Sequence, residues 1–198
     1  MNNYDIDKVK YIFARLFVIA VDNFTNFTAF TRGLEKSEFI QKIEADEYDE
    51  YFNKSILEIY ENITSNILSE DDSFGVYNDA YWCAVSYFDL HLKTGKSFSY
   101  IFLKLPLEKM MDIYIIYHEM DFSSLYEYFQ KLEKEKTILR ALCQDYHSSL
   151  KKISKATGIN INTLMKYNAS DEALYKASFQ NIIKIAKFFE VPISFFIE

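Results

Sequence analysis

Between residues 149 and 167 the chain reads SLKKISKATGININTLMKY, which sets Asn162 and Thr163 between Lys155 and Lys166. Asparagine can hydrogen-bond an adenine edge and threonine can meet a thymine methyl, while lysines neutralise phosphates. Such groups act together only if a rigid element presents them in one direction. The surrounding pattern supplies one. Ser149 suits the N-cap of a first helix in which Leu150, Ile153 and Thr157 share a face, leaving Lys151, Lys152 and Lys155 in water. Gly158 permits a chain reversal that other residues adopt only with strain. Ile159 returns toward a core, and Asn160 suits the N-cap of a second helix holding Ile161, Asn162, Thr163, Leu164, Lys166 and Tyr167. The polar side chains then fall on the first exposed turn of that second helix.

Other constellations fail on spacing. Thr94-Gly95-Lys96-Ser97 has the ending of a phosphate-binding loop, but the leading glycine of that motif would fall at Leu90, inside an apolar helix. His118-Glu119 would begin a zinc-protease motif were the second histidine not replaced by Phe122. His91, His118 and His147 are far apart, and two cysteines without close spacing make no metal site. A polar turn is the favoured reading of His118, Glu119 and Asp121, and a solvated helix start that of the carboxylates from Glu44 to Glu50. Neither an enzyme nor a cofactor is expected.

Helices flank the motif on both sides. Thr137 to Tyr146 forms an opening helix with Ile138, Leu139, Leu142 and Cys143 turned inward. Ser178 starts FQNIIKIAKFFE, with Phe179, Ile182, Ile183, Ala186 and Phe189 on one stripe, and Val191, Pro192, Ile193 and Phe196 begin a short last helix. Five short helices in about 65 residues, ending NIIKIAKFFEVPISFF, resemble the XRE/Cro family of helix-turn-helix domains. The resemblance covers roughly the last third of the chain. It implies a five-helix, lambda-repressor-like domain with DNA contacts at Ser149, Lys155, Asn160, Ile161, Asn162, Thr163 and Lys166. Three features depart from the family pattern. Ile161 is apolar where a polar residue is usual, Leu150 replaces a common glutamine, and the connection from Tyr167 to Ser178 is longer and carries Asp171 and Glu172.

Charge separates the same two regions. Residues 1–135 carry 13 Lys and Arg against 24 Asp and Glu, a net of −11, whereas residues 136–198 carry 9 against 5, a net of +4. A basic terminal domain is the minimum electrostatic footprint for nucleic acid, and so small a charge favours salt-sensitive binding assisted by dimerisation. The acidic part repels DNA and suits a protein partner or its own copy. Domain limits are therefore expected at 1–135, a partner-binding or dimerising region, and 136–198.

The acidic region also reads as helical, since 4 Gly and 2 Pro leave little room for turn-rich β structure. The longest apolar run, Tyr11 to Val21, is interrupted by Arg15, is too short to span a bilayer, and follows the acidic Asp5 and Asp7, unlike a signal peptide. Cys83 and Cys143 read as reduced core residues of a cytoplasmic protein. Tyr48, Tyr51, Phe52, Ile56, Ile59, Tyr60, Ile63 and Ile67 fall at the spacing of one amphipathic helix, and residues 69–79 read as a loop. Further helices are expected from Ala80 to Leu92, from Ser97, from Pro106 and from Ser123 to Lys136. The segments AYWCAVSYFDLHLKTGKSFSYIF and PLEKMMDIYIIYHEMD resemble small bacterial proteins encoded beside toxin-like genes, which points toward an antitoxin or accessory regulator. An aromatic content of 18% is read first as core packing and second as an interface, because Phe24, Phe27, Phe30, Tyr77, Tyr100, Tyr126 and Tyr128 are too many to bury together. The chain is thus expected to be an all-α DNA-binding regulator. The competing expectation is a protein-interaction module that keeps the helix-turn-helix scaffold without reading DNA.

Overall fold

A computed structural model describes residues 3–23, 26–64 and 78–196. Thirteen α-helices and two 3₁₀ turns, with no strand among the described residues, make the protein all-α. Packing divides the chain into two compact units, Met1–Leu125 and Tyr126–Glu198. The division lies N-terminal to the charge step.

In the first unit, α1 (Asn3–Asn23) is the central helix. Its apolar run is the core itself, with Val9, Phe13, Leu16, Phe17, Ile19 and Ala20 buried and Arg15 at the margin. Apolar segments of this length belong in the interior of a folded domain rather than in a bilayer. Among the described residues no helix is long and apolar enough to cross a membrane. Against α1 lies α5 (Asn78–Thr94), which begins two residues before its expected start. Ring centroids of Phe13 and Phe88 are 5.7 Å apart and those of Phe17 and Tyr87 5.9 Å, while Lys10 Nζ meets Asp89 at 2.5 Å on the rim.

Shorter helices close this cluster. From α2 (Phe27–Lys36), Phe30 places its ring edge-on to Phe17 at 5.2 Å. Ser37 caps α3 (Glu38–Glu44), and Ser97 caps α6 (Phe98–Lys104), whose Phe98 and Phe102 join the same aromatic network. Tyr87 donates its hydroxyl proton to the Leu105 carbonyl at 2.7 Å, so its one polar atom is satisfied inside the core. Gly33 of α2 lies so close to α4 (Ile56–Thr64) that a Cβ there would stand 3.0 Å from the Ile63 carbonyl oxygen. Pro106 precedes α7 (Leu107–Tyr117), which buries Leu107 and Met110. Much of the aromatic excess is therefore core. Phe30 and Tyr100 are buried, and Phe27, Tyr126 and Tyr128 are half-buried. Phe24 and Tyr77 lie outside the described residues.

The single helix expected from Tyr48 is broken. A 3₁₀ turn, Asp49–Asn53, ends at an extended Lys54, whose ammonium sits 4.4 Å from the Tyr51 ring centroid. Ser55 then accepts the Glu58 N–H at 3.1 Å and starts α4. A serine that bonds backbone in this way favours a new N-terminus over helix continuation, and the apolar spacing survives the break because both pieces face the core. Ile67 and most of the expected 69–79 loop lie outside the described residues. The acidic stretch before the turn is not a helix start at Glu44. That residue ends α3, and its Oε1 accepts the Phe98 N–H at 2.7 Å.

The second unit contains most of α8 (Phe122–Glu135), then α9 (Ile138–Asp145), α10 (Leu150–Thr157), α11 (Ile161–Ala169), α12 (Asp171–Tyr175), α13 (Phe179–Phe189) and a 3₁₀ turn, Ile193–Phe196. Ile138, Leu139 and Leu142 of α9 are buried as their spacing implies, with Cys143 only half so. On α13 the stripe is Ile182, Ile185, Ala186 and Phe189. Phe179 is 63% exposed, because the first residue of the helix lies beyond the turn that packs inward. The long connection between Tyr167 and Ser178 holds α12, an element absent from the sequence expectation.

Candidate nucleic-acid interface

The polar residues of 149–167 are held by a short, fully capped frame. Ser149 accepts the Lys152 N–H at 3.3 Å, opening α10, and Ile153 anchors that helix to the interior. Gly158 closes it in the left-handed region at φ 72°, ψ 9°, donating to the Ser154 carbonyl at 2.9 Å. Two hydroxyls brace the turn. Ser154 Oγ donates to the Ile159 carbonyl at 2.7 Å, while Thr157 Oγ1 accepts the Ile159 N–H at 3.3 Å and donates to Ile153 O. Ile159 is buried beneath the turn, and Asn160 Oδ1 accepts the Asn162 N–H at 2.8 Å to open α11. Leu164 and Tyr167 bury the inner face of α11, and the Tyr167 hydroxyl accepts from Asn181 Nδ2 of α13 at 3.2 Å.

This frame leaves Ser149, Lys155, Asn160, Asn162 and Lys166 exposed and Ile161 and Thr163 half-buried. Residues 149–169 carry four lysines and no carboxylate. The outward stripe of α11 runs Asn162, Met165, Lys166, Ala169, all exposed. Met165, not singled out from sequence, stands three residues after Asn162 and so shares its face. Its position in that periodicity is the signal that would have found it. Leu150 is half-buried at the start of α10, where an apolar side chain packs rather than reaches outward.

The acids of the long connection are engaged locally. Asp171 Oδ1 accepts the Ile138 N–H at 2.6 Å, and beside it Thr137 Oγ1 donates to the Asn168 carbonyl at 2.9 Å. Glu172 meets Lys176 Nζ at 2.5 Å, a contact that holds its carboxyl below the ordinary carboxylate range. Lys184, Lys187 and Phe188 of α13 border an open hollow of about 430 Å³ with Ala156 and Thr157 at the end of α10.

The remaining candidates have structural roles. Thr94 Oγ1 donates to Leu90 O at 2.6 Å and accepts the Lys96 N–H, which makes the Thr94–Ser97 stretch a helix stop and restart. The Glu44 carboxylate on the Phe98 amide occupies the helix end that a phosphate would need. His118 stacks on Tyr114 with centroids 4.4 Å apart, its Nδ1 2.9 Å from the Tyr114 carbonyl. No group of three or more potential metal ligands occurs among the described residues. Cys83 and Cys143 are unbridged, and burial pushes both thiols up. No family model matches the chain, and neither a curated protein nor a solved structure matches it.

Proposed function

We propose that this protein is a DNA-binding transcriptional regulator of the XRE helix-turn-helix type, acting as an antitoxin whose acidic region holds a protein partner. The observation that carries this reading is the stretch of α10, its turn and α11, in which residues 149–169 carry four exposed lysines and exposed Asn162 and no carboxylate. In this reading α11 lies in the major groove. Asn162 and Thr163 face base edges, Lys155, Lys166 and the Ser149 hydroxyl hold phosphates, and Asn160 and Ile161 lie at the groove wall. A homodimer formed through the acidic region sets two such helices about one DNA turn apart and doubles the phosphate contacts of each +4 domain. The setting is cytoplasmic.

The full chain should retard a fragment carrying its own promoter at low salt, with affinity falling steeply as salt rises. A chain that retards no DNA at low salt would instead be a protein-interaction module. One observation favours that second reading: Met165 and half-exposed Ile161 place apolar surface on the helix that would enter the groove.

A further inference from the structure

On the outer side of α7 and the turn after it, Ile115 is 79% exposed, Ile116 57% and Met120 51%. Ile115 and Ile116 are consecutive near the end of α7, and Met120 follows in the exposed turn, three residues past the last residue of the helix. A monomeric surface carries single exposed apolar side chains freely, but a contiguous group rimmed by charge marks a docking site. Here carboxylates outnumber the cations of the rim, which are Lys109, one turn before Asp112, and His118, whose Nε2 lies 3.6 Å from Glu119. Asp112 precedes Ile115 and Ile116 by three and four residues on the same face, and Glu119 and Asp121, both exposed, follow at the other end. The interior side of α7 buries Leu107 and Met110 and sets Tyr114 against Trp82 with ring centroids 5.5 Å apart, whereas Ile115, Ile116 and Met120 stay exposed among the described residues.

We infer that this α7 face docks a cationic amphipathic helix of another protein, its apolar side chains on Ile115, Ile116 and Met120 and its lysines or arginines against Asp112, Glu119 and Asp121. The inference deepens the partner-binding half of the proposed function and rests on it. Charge selects the occupant. A second copy meeting this face about a twofold axis would bring the same three carboxylates together, and nucleic acid is repelled by a region of net −11. A basic helix answers both the apolar stripe and its rim.

The test uses the full chain and two synthetic 18-residue helices of identical pattern, one Leu/Lys and one Leu/Glu, followed by fluorescence anisotropy. The Leu/Lys peptide should bind with salt-sensitive affinity, and the Leu/Glu peptide should not. Ile115→Gln/Ile116→Gln should weaken binding at least tenfold, and Asp112→Asn/Glu119→Gln several-fold with a flatter salt dependence. Both pairs replace exposed side chains, and circular dichroism checks the fold. Binding that ignores the isoleucine pair, equal binding of both peptides, or no binding overturns the inference. So does a sedimenting dimer that the isoleucine pair converts to monomer, since the face would then belong to a second copy. Retardation of DNA by the same variants separates this failure from failure of the regulator reading.

Discussion

Asp171 places Oδ1 2.6 Å from the amide nitrogen of Ile138, so the first acid of α12 caps α9 from across the unit. A carboxylate there satisfies an amide that has no partner within α9 and suits the positive end of the helix. Asp171→Ala should cost about 1–2 kcal/mol in urea unfolding, and Asp171→Asn less, since an amide oxygen still accepts the bond. Glu172→Ala is the control. Its partner Lys176 is in water, and the unfolding midpoint should not move. Equal losses at both positions would mean that the acids act only through general charge.

Buried tyrosines set the alkaline limit of the fold. Burial, with help from Asp46, pushes Tyr48 up to about 12; burial and Glu38 do the same for Tyr51, and burial for Tyr60. Tyr87 is raised well above its ordinary value by burial. Each folded-state value is raised, so the folded chain keeps protons that the unfolded chain loses first. Stability is intact below about pH 10 and declines as pH climbs through 12. In an alkaline titration the last step of tyrosinate absorbance should therefore coincide with loss of helical circular dichroism. An absorbance change that reaches completion with the helix signal intact would show these hydroxyls to be open to water.

Proteolysis should find the packing division rather than the charge step. Lys136 follows an unbroken α8 in which Phe129 and Leu132 are buried, and Thr137 is tied to Asn168. By contrast His118, Glu119, Met120 and Asp121 are all exposed just before α8. A glutamate-specific protease should cut after Glu119 and leave a stable C-terminal fragment that includes all of α8. A fragment starting within 130–137 would put the domain limit at the change of charge.

The elements legible in the sequence are those that carry their own start and stop signals. Ser149, Gly158, Asn160 and Ser178 each cap the helix end that their types suggest, because capping is decided within a few residues. Periodicity alone misled where a local bond competes with it. Ser55 divides one apolar stripe into a 3₁₀ turn and a helix, and Ser170, whose Oγ accepts the Ala173 N–H at 3.3 Å, opens α12, from which Asp171 reaches Ile138, a partner far away in sequence. Composition likewise could not say whether a tyrosine or phenylalanine faces core or water, which long-range packing around Phe13 and Phe17 decides for Phe30 and Tyr87. At the candidate interface the residue types were legible. Met165 shares a face with Asn162 by its three-residue spacing, and the seating of α11 on Leu164 and Tyr167 turns that face outward.

Oligomeric state bears on how weakly charged domains can hold DNA. At tens of micromolar the full chain should sediment as a dimer, since ordinary micromolar affinities are saturated there. Ile115→Gln/Ile116→Gln should leave that dimer intact, because the α7 face is assigned to a different protein. A full-length monomer would favour an adaptor over a dimeric regulator.

Lys166 and Asn162 are exposed on one stripe of α11, four residues apart, yet the two should fail in different ways when removed. A lysine holding phosphate contributes without regard to sequence. Lys166→Ala should thus weaken binding to operator and to random duplex about equally and lower the slope of log affinity against log salt by about 1. Asparagine on a base edge contributes to one sequence only. Asn162→Ala should leave random-duplex binding and the salt slope unchanged while costing roughly 1–3 kcal/mol at a single base pair, seen as relaxed preference when that pair is varied. Retardation assays across a set of single-base operator variants, repeated at several salt concentrations, measure both. A Lys166 effect confined to one base pair would reassign that lysine to base reading. If neither substitution changes retardation, α11 is not the surface that meets DNA, and its exposed Met165 would then mark a protein-binding helix.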